Sequence, residues 1–149
     1  MSKIGNASVY KFVKTGKIFI HSLSQIQMGV SIGTEPYIWL DKNASQEDIV
    51  SGLIVAMSQT KSGLPNPTDW ASFSKEFIKA IGLTKQSDLY KGSILVGVVH
   101  KDGVISFRPM TNNGSKGFVN VPQSEIQLPD TASIEELGTA LEAAFNKCE

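Results

Sequence analysis

Few side chains in this chain are equipped for chemistry, and their spacing argues against catalysis. His21 and His100 each end an apolar run and have Asp41 or Asp102 as conceivable partners. A metal centre needs three or four ligands. There is no third histidine and only one cysteine, so carboxylates alone would have to complete such a site. A half-exposed strand end is the simpler reading of each histidine. Cys148 lies beside the C-terminus, a poor place for a preorganised nucleophile, and reads as a surface thiol. The carboxylate pairs Glu47–Asp48 and Glu135–Glu136 fall in the first turns of expected helices, where the dipole favours negative charge. No Gly-x-Gly-x-x-Gly follows a strand, Lys61–Ser62 lacks the upstream glycines of a phosphate loop, and Gly-x-Ser-x-Gly is missing. No catalytic residue, metal ligand or cofactor is assigned.

Composition excludes further classes. At 149 residues the chain has the length of one domain, able to bury roughly two-thirds of its unfolded surface. Fourteen basic residues balance fourteen acidic ones, and Arg108 is the only arginine. Direct nucleic-acid binding usually needs a basic excess and guanidinium forks, so none is expected. Tyr10, Phe12 and Phe19 could stack bases, but Phe12 and Phe19 are better spent covering a helix. The N-terminus lacks the apolar core of a signal peptide, and no apolar run approaches membrane-spanning length. A lone cysteine suits a reducing compartment. We expect a cytoplasmic protein, in which the sequons at Asn6, Asn43 and Asn113 carry no weight.

The elements follow from periodicity. Gly92–Arg108 reads as a hairpin around Lys-Asp-Gly, and Ile94–Val99 has no polar face, so this strand belongs at a sheet centre. Residues 8–23 form another hairpin about Gly16, and extended chain continues through 28–40, broken by Gly33 and Pro36. Ser45 to Asp48 resembles a capping box, with Ile49, Leu53, Ala56 and Met57 on the buried face. A second helix should open with Asn66 as cap and Pro67 in its first turn, bury Trp70, Phe73, Phe77 and Ile81, and stop at Gly82. Residues 109–117 read as a mobile polar loop. Short strands near 118–121 and 125–128 follow, with Pro122 and Pro129 suiting strand ends or an edge better than a sheet centre. Ser133 to Glu136 is a full capping box for a last helix that buries Ile134, Leu137, Leu141, Ala144 and Phe145. Strands and helices do not alternate. The expected fold is a single α+β domain with a mostly antiparallel sheet of about five to seven strands and three helices.

Beyond residue 116 a specific pattern emerges. Gly117-Phe-Val-Asn-Val121, Ser124-Glu-Ile-Gln-Leu-Pro129 and Ala132-Ser-Ile-Glu-Glu-Leu-Gly-Thr-Ala-Leu-Glu-Ala-Ala144 resemble the C-terminal signature of immunity proteins from bacterial contact-dependent growth inhibition systems. The resemblance implies a non-enzymatic, cytoplasmic inhibitor that binds the C-terminal domain of a cognate toxin, often a nuclease. In some members the toxin is thought to add a hairpin to the sheet, so that backbone hydrogen bonds supply the affinity. Inhibitors of basic nucleases tend to be acidic. This chain is neutral, so its charge must be segregated or its toxin not strongly basic. The matched segment reads as scaffold and assigns no contacts.

Contacts can be sought only by residue type. Tyr37 and Trp39 lie on an interrupted strand, and Asp69 opens a helix beside Trp70; interfaces favour such aromatics, although both tryptophans also suit a core. Arg108, Asn112, Asn113 and Lys116 are candidates on expected exposure. The docking edge should be the strand near 28–40 or the short strands near 118–128. Two rivals remain. An enzyme would need a site built on His100 and Asp102, and replacing both histidines by alanine would abolish its activity. A single-stranded nucleic-acid module would use the hairpins at 9–20 and 94–107. Titration of labelled oligonucleotides separates the last case, because such a module gives a steep salt dependence and an immunity protein gives flat traces.

Overall fold

The computed structural model describes residues 4–149. Its first hairpin is β1 (Gly5–Phe12) and β2 (Ile18–Gln25), closed by Gly16 at φ 74°. The strand β3 (Ser31–Leu40) pairs with β2. The helices α1 (Gln46–Ser58), α2 (Trp70–Ala80) and α3 (Ser87–Tyr90) come next. The second hairpin is β4 (Ser93–Lys101) and β5 (Val104–Asn112), with Asp102 and Gly103 at φ 53° and 79° in its turn. Two positive φ values in a two-residue loop match the twist of the flanking strands, which is why Asp-Gly occurs there. A one-turn 3-10 helix at Gly114–Lys116, then β6 (Phe118–Asn120), β7 (Ile126–Pro129) and α4 (Ile134–Phe145), complete the chain.

All strand pairings are antiparallel, in the order β3-β2-β1-β4-β5. The far side of β5 is shared, with β7 along Val104–Phe107 and β6 along Met110–Asn112. The expected α+β domain is thus a seven-stranded sheet, and the helix the sequence did not announce is the single turn of α3. β4 lies between β1 and β5, and Val96 and Val98 are fully buried, as a strand without a polar face requires.

Each face of the sheet has its own core. Ala7, Val9, Ile18, Ile20, Val96, Val98, Ile105 and Phe107 pack beneath α1 and α4. On the opposite face Tyr10, Phe19 and Leu95 meet Ile78 and Ile81 from the α2 segment. The two long capped helices begin as the sequence predicts. Ser45 Oγ accepts from Asp48 N at 3.1 Å, and Ser133 with Glu136 forms a reciprocal capping box at 3.1 and 3.0 Å. Within their faces Val50 is buried in α1, whereas Ile134, expected on the buried face of α4, is 41% exposed.

Two expectations fail through hydrogen bonds to partners distant in sequence. α2 starts three residues late, capped by Asp69, whose carboxylate accepts from Ala71 N at 3.1 Å and Ser72 N at 3.2 Å. Asn66 instead accepts from Met28 N at 2.9 Å, tying down the loop. Residues 109–112 are strand and not loop. The Asn112 amide donates to the carbonyls of Tyr90 and Ser93, both at 2.8 Å, while its backbone N donates to Glu149 O at 2.9 Å.

Gly5 allows α1 to approach β1, since a Cβ there would lie 2.9 Å from the Met57 carbonyl oxygen and 3.0 Å from Met57 Cβ. Backbone cannot swing aside as a side-chain tip can. Gly5→Ala is expected to cost about 1–3 kcal/mol, seen as a fall of several degrees in Tm by calorimetry.

Candidate functional site

Burial of both faces at the centre leaves the edges free to act. β6 and β7 are three and four residues long and cover β5 between them. β3 has ten residues and pairs only with β2 among the described residues, so one side of its backbone is open. Its register jumps between His21–Tyr37 and Ser22–Thr34, leaving Glu35 and Pro36 in a bulge. Bulges and prolines at sheet edges blunt indiscriminate pairing and redirect side chains.

Where α2 crosses β3, a cleft of about 370 Å³ opens, walled by Tyr37, Phe73 and Phe77 and rimmed by Glu35, Glu76 and Lys61. Gly33 makes the crossing possible: a Cβ there would fall 2.7 Å from the Phe77 ring. Behind that wall His21 is 3% exposed, its ring 5.7 Å from Tyr10, 5.5 Å from Phe19 and 5.6 Å from Phe77. His21 Nδ1 donates to the Ser22 carbonyl at 2.8 Å, which fixes the neutral tautomer with Nε2 bare. Among the described residues Nε2 has no hydrogen-bond partner. Burial lowers the His21 pKa to about 4, the Ser22 bond opposing the shift, and pushes the Tyr10 phenol up to about 12.

The contact candidates fall into two groups with three strands between them. Tyr37 lines the cleft, and Trp39 lies on the same strand, 39% exposed, donating from Nε1 to Ile81 O at 2.9 Å. Asp69 caps the wall helix, and its hydrogen bonds from Ser72 hold its carboxyl below the usual range. At the far edge Arg108 Nε donates to Glu125 Oε1 at 2.7 Å, and Asn112 is consumed by backbone bonds. Asn113 precedes, and Lys116 ends, the 3-10 turn. Sequence reasoning had Phe73 and Phe77 as core and overlooked Glu35 and Glu76. The available signal was Gly33 in a strand, which makes room for a ring from another element.

The chemistry first sought is dispersed. His21 is a core residue and not a strand end. His100 Nε2 lies 3.0 Å from Asp130 Oδ2, not beside Asp102, which occupies the turn. The pair borders an apolar cleft of about 380 Å³ that also includes Ser58, whose hydroxyl donates to the Val55 carbonyl at 2.7 Å. Cys148 is half-buried, its Sγ 3.3 Å from Leu95 O, and burial raises its pKa. Tyr10 and Phe19 are 7% and 0% exposed, so the stacking platform does not exist as a surface. Among the described residues no cluster of three or more potential metal ligands occurs, and no helix is long and apolar enough to cross a membrane.

The described residues thus form a small α+β domain with an open edge strand beside an aromatic cleft. The family model for CDI immunity proteins (CdiI) matches residues 6–148, and the chain belongs to that family. Its fold resembles a Neisseria meningitidis protein of unknown function, with TM-score 0.77, 13% identity, and 98% of this chain and 96% of the other covered. It resembles equally a CdiA-CT/CdiI toxin and immunity complex from Yersinia pseudotuberculosis, with TM-score 0.77, 14% identity, and 99% and 98% covered. No functionally curated protein matches.

His21 makes stability depend on pH. Its folded pKa of about 4 lies below the ordinary histidine value of 6.5, so between these limits the unfolded chain binds more protons and stability rises with pH. The full contribution, about 3 kcal/mol, is present above pH 6.5 and is lost as pH falls towards 4. Urea midpoints across this range should slope upward in the wild type and flatten in His21→Phe.

Proposed function

We propose that this protein is a non-enzymatic, cytoplasmic immunity protein. It binds the C-terminal domain of a cognate toxin, a nuclease, and neutralises it by accepting a strand along the outer edge of β3. The observation that carries this reading is the ten-residue edge strand with an open side, set beside the Tyr37–Phe73–Phe77 cleft. Added backbone hydrogen bonds would supply affinity, and the cleft would select the side chain that accompanies them. Tyr37 and Trp39 are then the contact residues. Asp69 supports the wall by capping α2, and the far-edge group of Arg108, Asn112, Asn113 and Lys116 is peripheral. The two halves of β3 flanking the Glu35–Pro36 bulge, residues 31–34 and 37–40, are the available docking segments.

Co-expression with the C-terminal domain encoded immediately upstream should rescue growth and give a one-to-one complex on purification. Continued cell death without co-purification would refute the immunity role. In the complex, hydrogen exchange of the β3 amides should slow while that of β6 and β7 is unchanged; protection confined to β6 and β7 would move the docking edge.

A further inference from the structure

Two carboxylates line the β3–α2 cleft and form no ion pair among the described residues. Glu35 and Glu76 are both exposed, and neither takes part in any ion pair or side-chain hydrogen bond. Lys61 is the one cation in the lining and pairs with neither, so the cleft carries an excess of negative charge. α2 divides charge between its sides: Lys75 and Lys79 line a different cleft together with Lys85. A chain of zero formal net charge thus places two carboxylates and one ammonium in the lining of this cleft. The Glu35 field reaches Tyr37, whose phenol is raised first by burial and then by that carboxylate.

Carboxylates alone would be an ordinary solvated rim, and aromatic rings alone the margin of a core. Here the rings of Tyr37 and Phe77 meet edge-to-face at 5.6 Å, with Phe73 beside them, and the carboxylates stand at the mouth. Apolar walls can strip water from a long aliphatic stem, ring faces attract a cation, and carboxylates accept from a planar donor fork. Guanidinium meets all three conditions. Ammonium, a strongly hydrated point charge, meets them less well.

We infer that this cleft is the receptor for an arginine side chain, carried by the toxin strand that docks beside β3. The partner in this inference rests on the proposed immunity function, whereas the receptor chemistry can be tested without the toxin. The strand-forming peptide acetyl-Val-Arg-Val-amide is titrated into the labelled protein and followed by NMR, with citrulline in place of arginine as the neutral isostere. Shifts should concentrate at Glu35–Tyr37 and Phe73–Phe77 with the arginine peptide. They should be absent with citrulline and lost in the Glu35→Gln, Glu76→Gln double variant, whose fold is checked by circular dichroism. No shifts at the cleft, or equal shifts with citrulline, would overturn the inference.

The upstream-encoded toxin domain supplies the second arm. The double variant should bind it roughly 10- to 100-fold more weakly and with a shallower salt dependence, while Glu47→Gln and Glu135→Gln leave Kd unchanged. If the wild type binds the toxin and the double variant binds equally well, the receptor is disproved and the immunity function stands. If the arginine peptide seats in the cleft but the wild type ignores the toxin, the receptor stands and the immunity function fails.

Discussion

The structure depends on one ladder. Gly5–Phe12 of β1 pairs along its full length with Ser93–His100 of β4, joining the hairpin at the start of the chain to the one near its end. Every other strand pairing is between neighbours in sequence, apart from β7 reaching back to β5. Removing the β1–β4 pairing would leave two isolated small sheets, each with a bare hydrophobic face, and such fragments are marginal in water. Once made, the ladder puts Val9 and Val96 on one face and Tyr10 and Leu95 on the other, so it supplies both cores at once.

The same constraint decides which edge of the sheet stays open. Helices α1 and α4 close one face, and the α2 segment closes the aromatic half of the other. The edge near β5 is consumed by the chain's own short strands. β3 is the remaining long edge, and its bulge at Glu35–Pro36 limits promiscuous pairing while setting a carboxylate at the rim of the cleft. The aromatic cluster behind that cleft includes His21, whose bare Nε2 is a stability cost retained within the wall of the site.

Much of the fold was legible from local signals. The Asp102–Gly103 turn, the Ser133–Glu136 box and the unbroken apolar run of β4 each have a short-range physical reason and recur in the structure. The start of α2 was misplaced because Asn66 and Asp69 are both good caps, and the choice between them depended on a bond from Asn66 to the distant Met28. The 109–117 stretch looked polar and mobile because the partners of Asn112 lie about twenty residues back and at the C-terminus. Of the site, Tyr37 and Trp39 could be singled out by type. Their companions Phe73 and Phe77 were indistinguishable from any helical core stripe.

By itself, then, the sequence determined the α+β class, the central place of β4, the capped helices and, through the residues after 116, the immunity family later matched over residues 6–148. Those properties depend on periodicity, turn chemistry and local order, which a linear chain displays. Tertiary structure decided that His21 is buried and neutral, that His100 meets Asp130, and that Glu35 and Glu76 share a cleft. Forty-one positions separate those two glutamates. Only the crossing of α2 over an edge strand, with Gly33 admitting Phe77, brings them together.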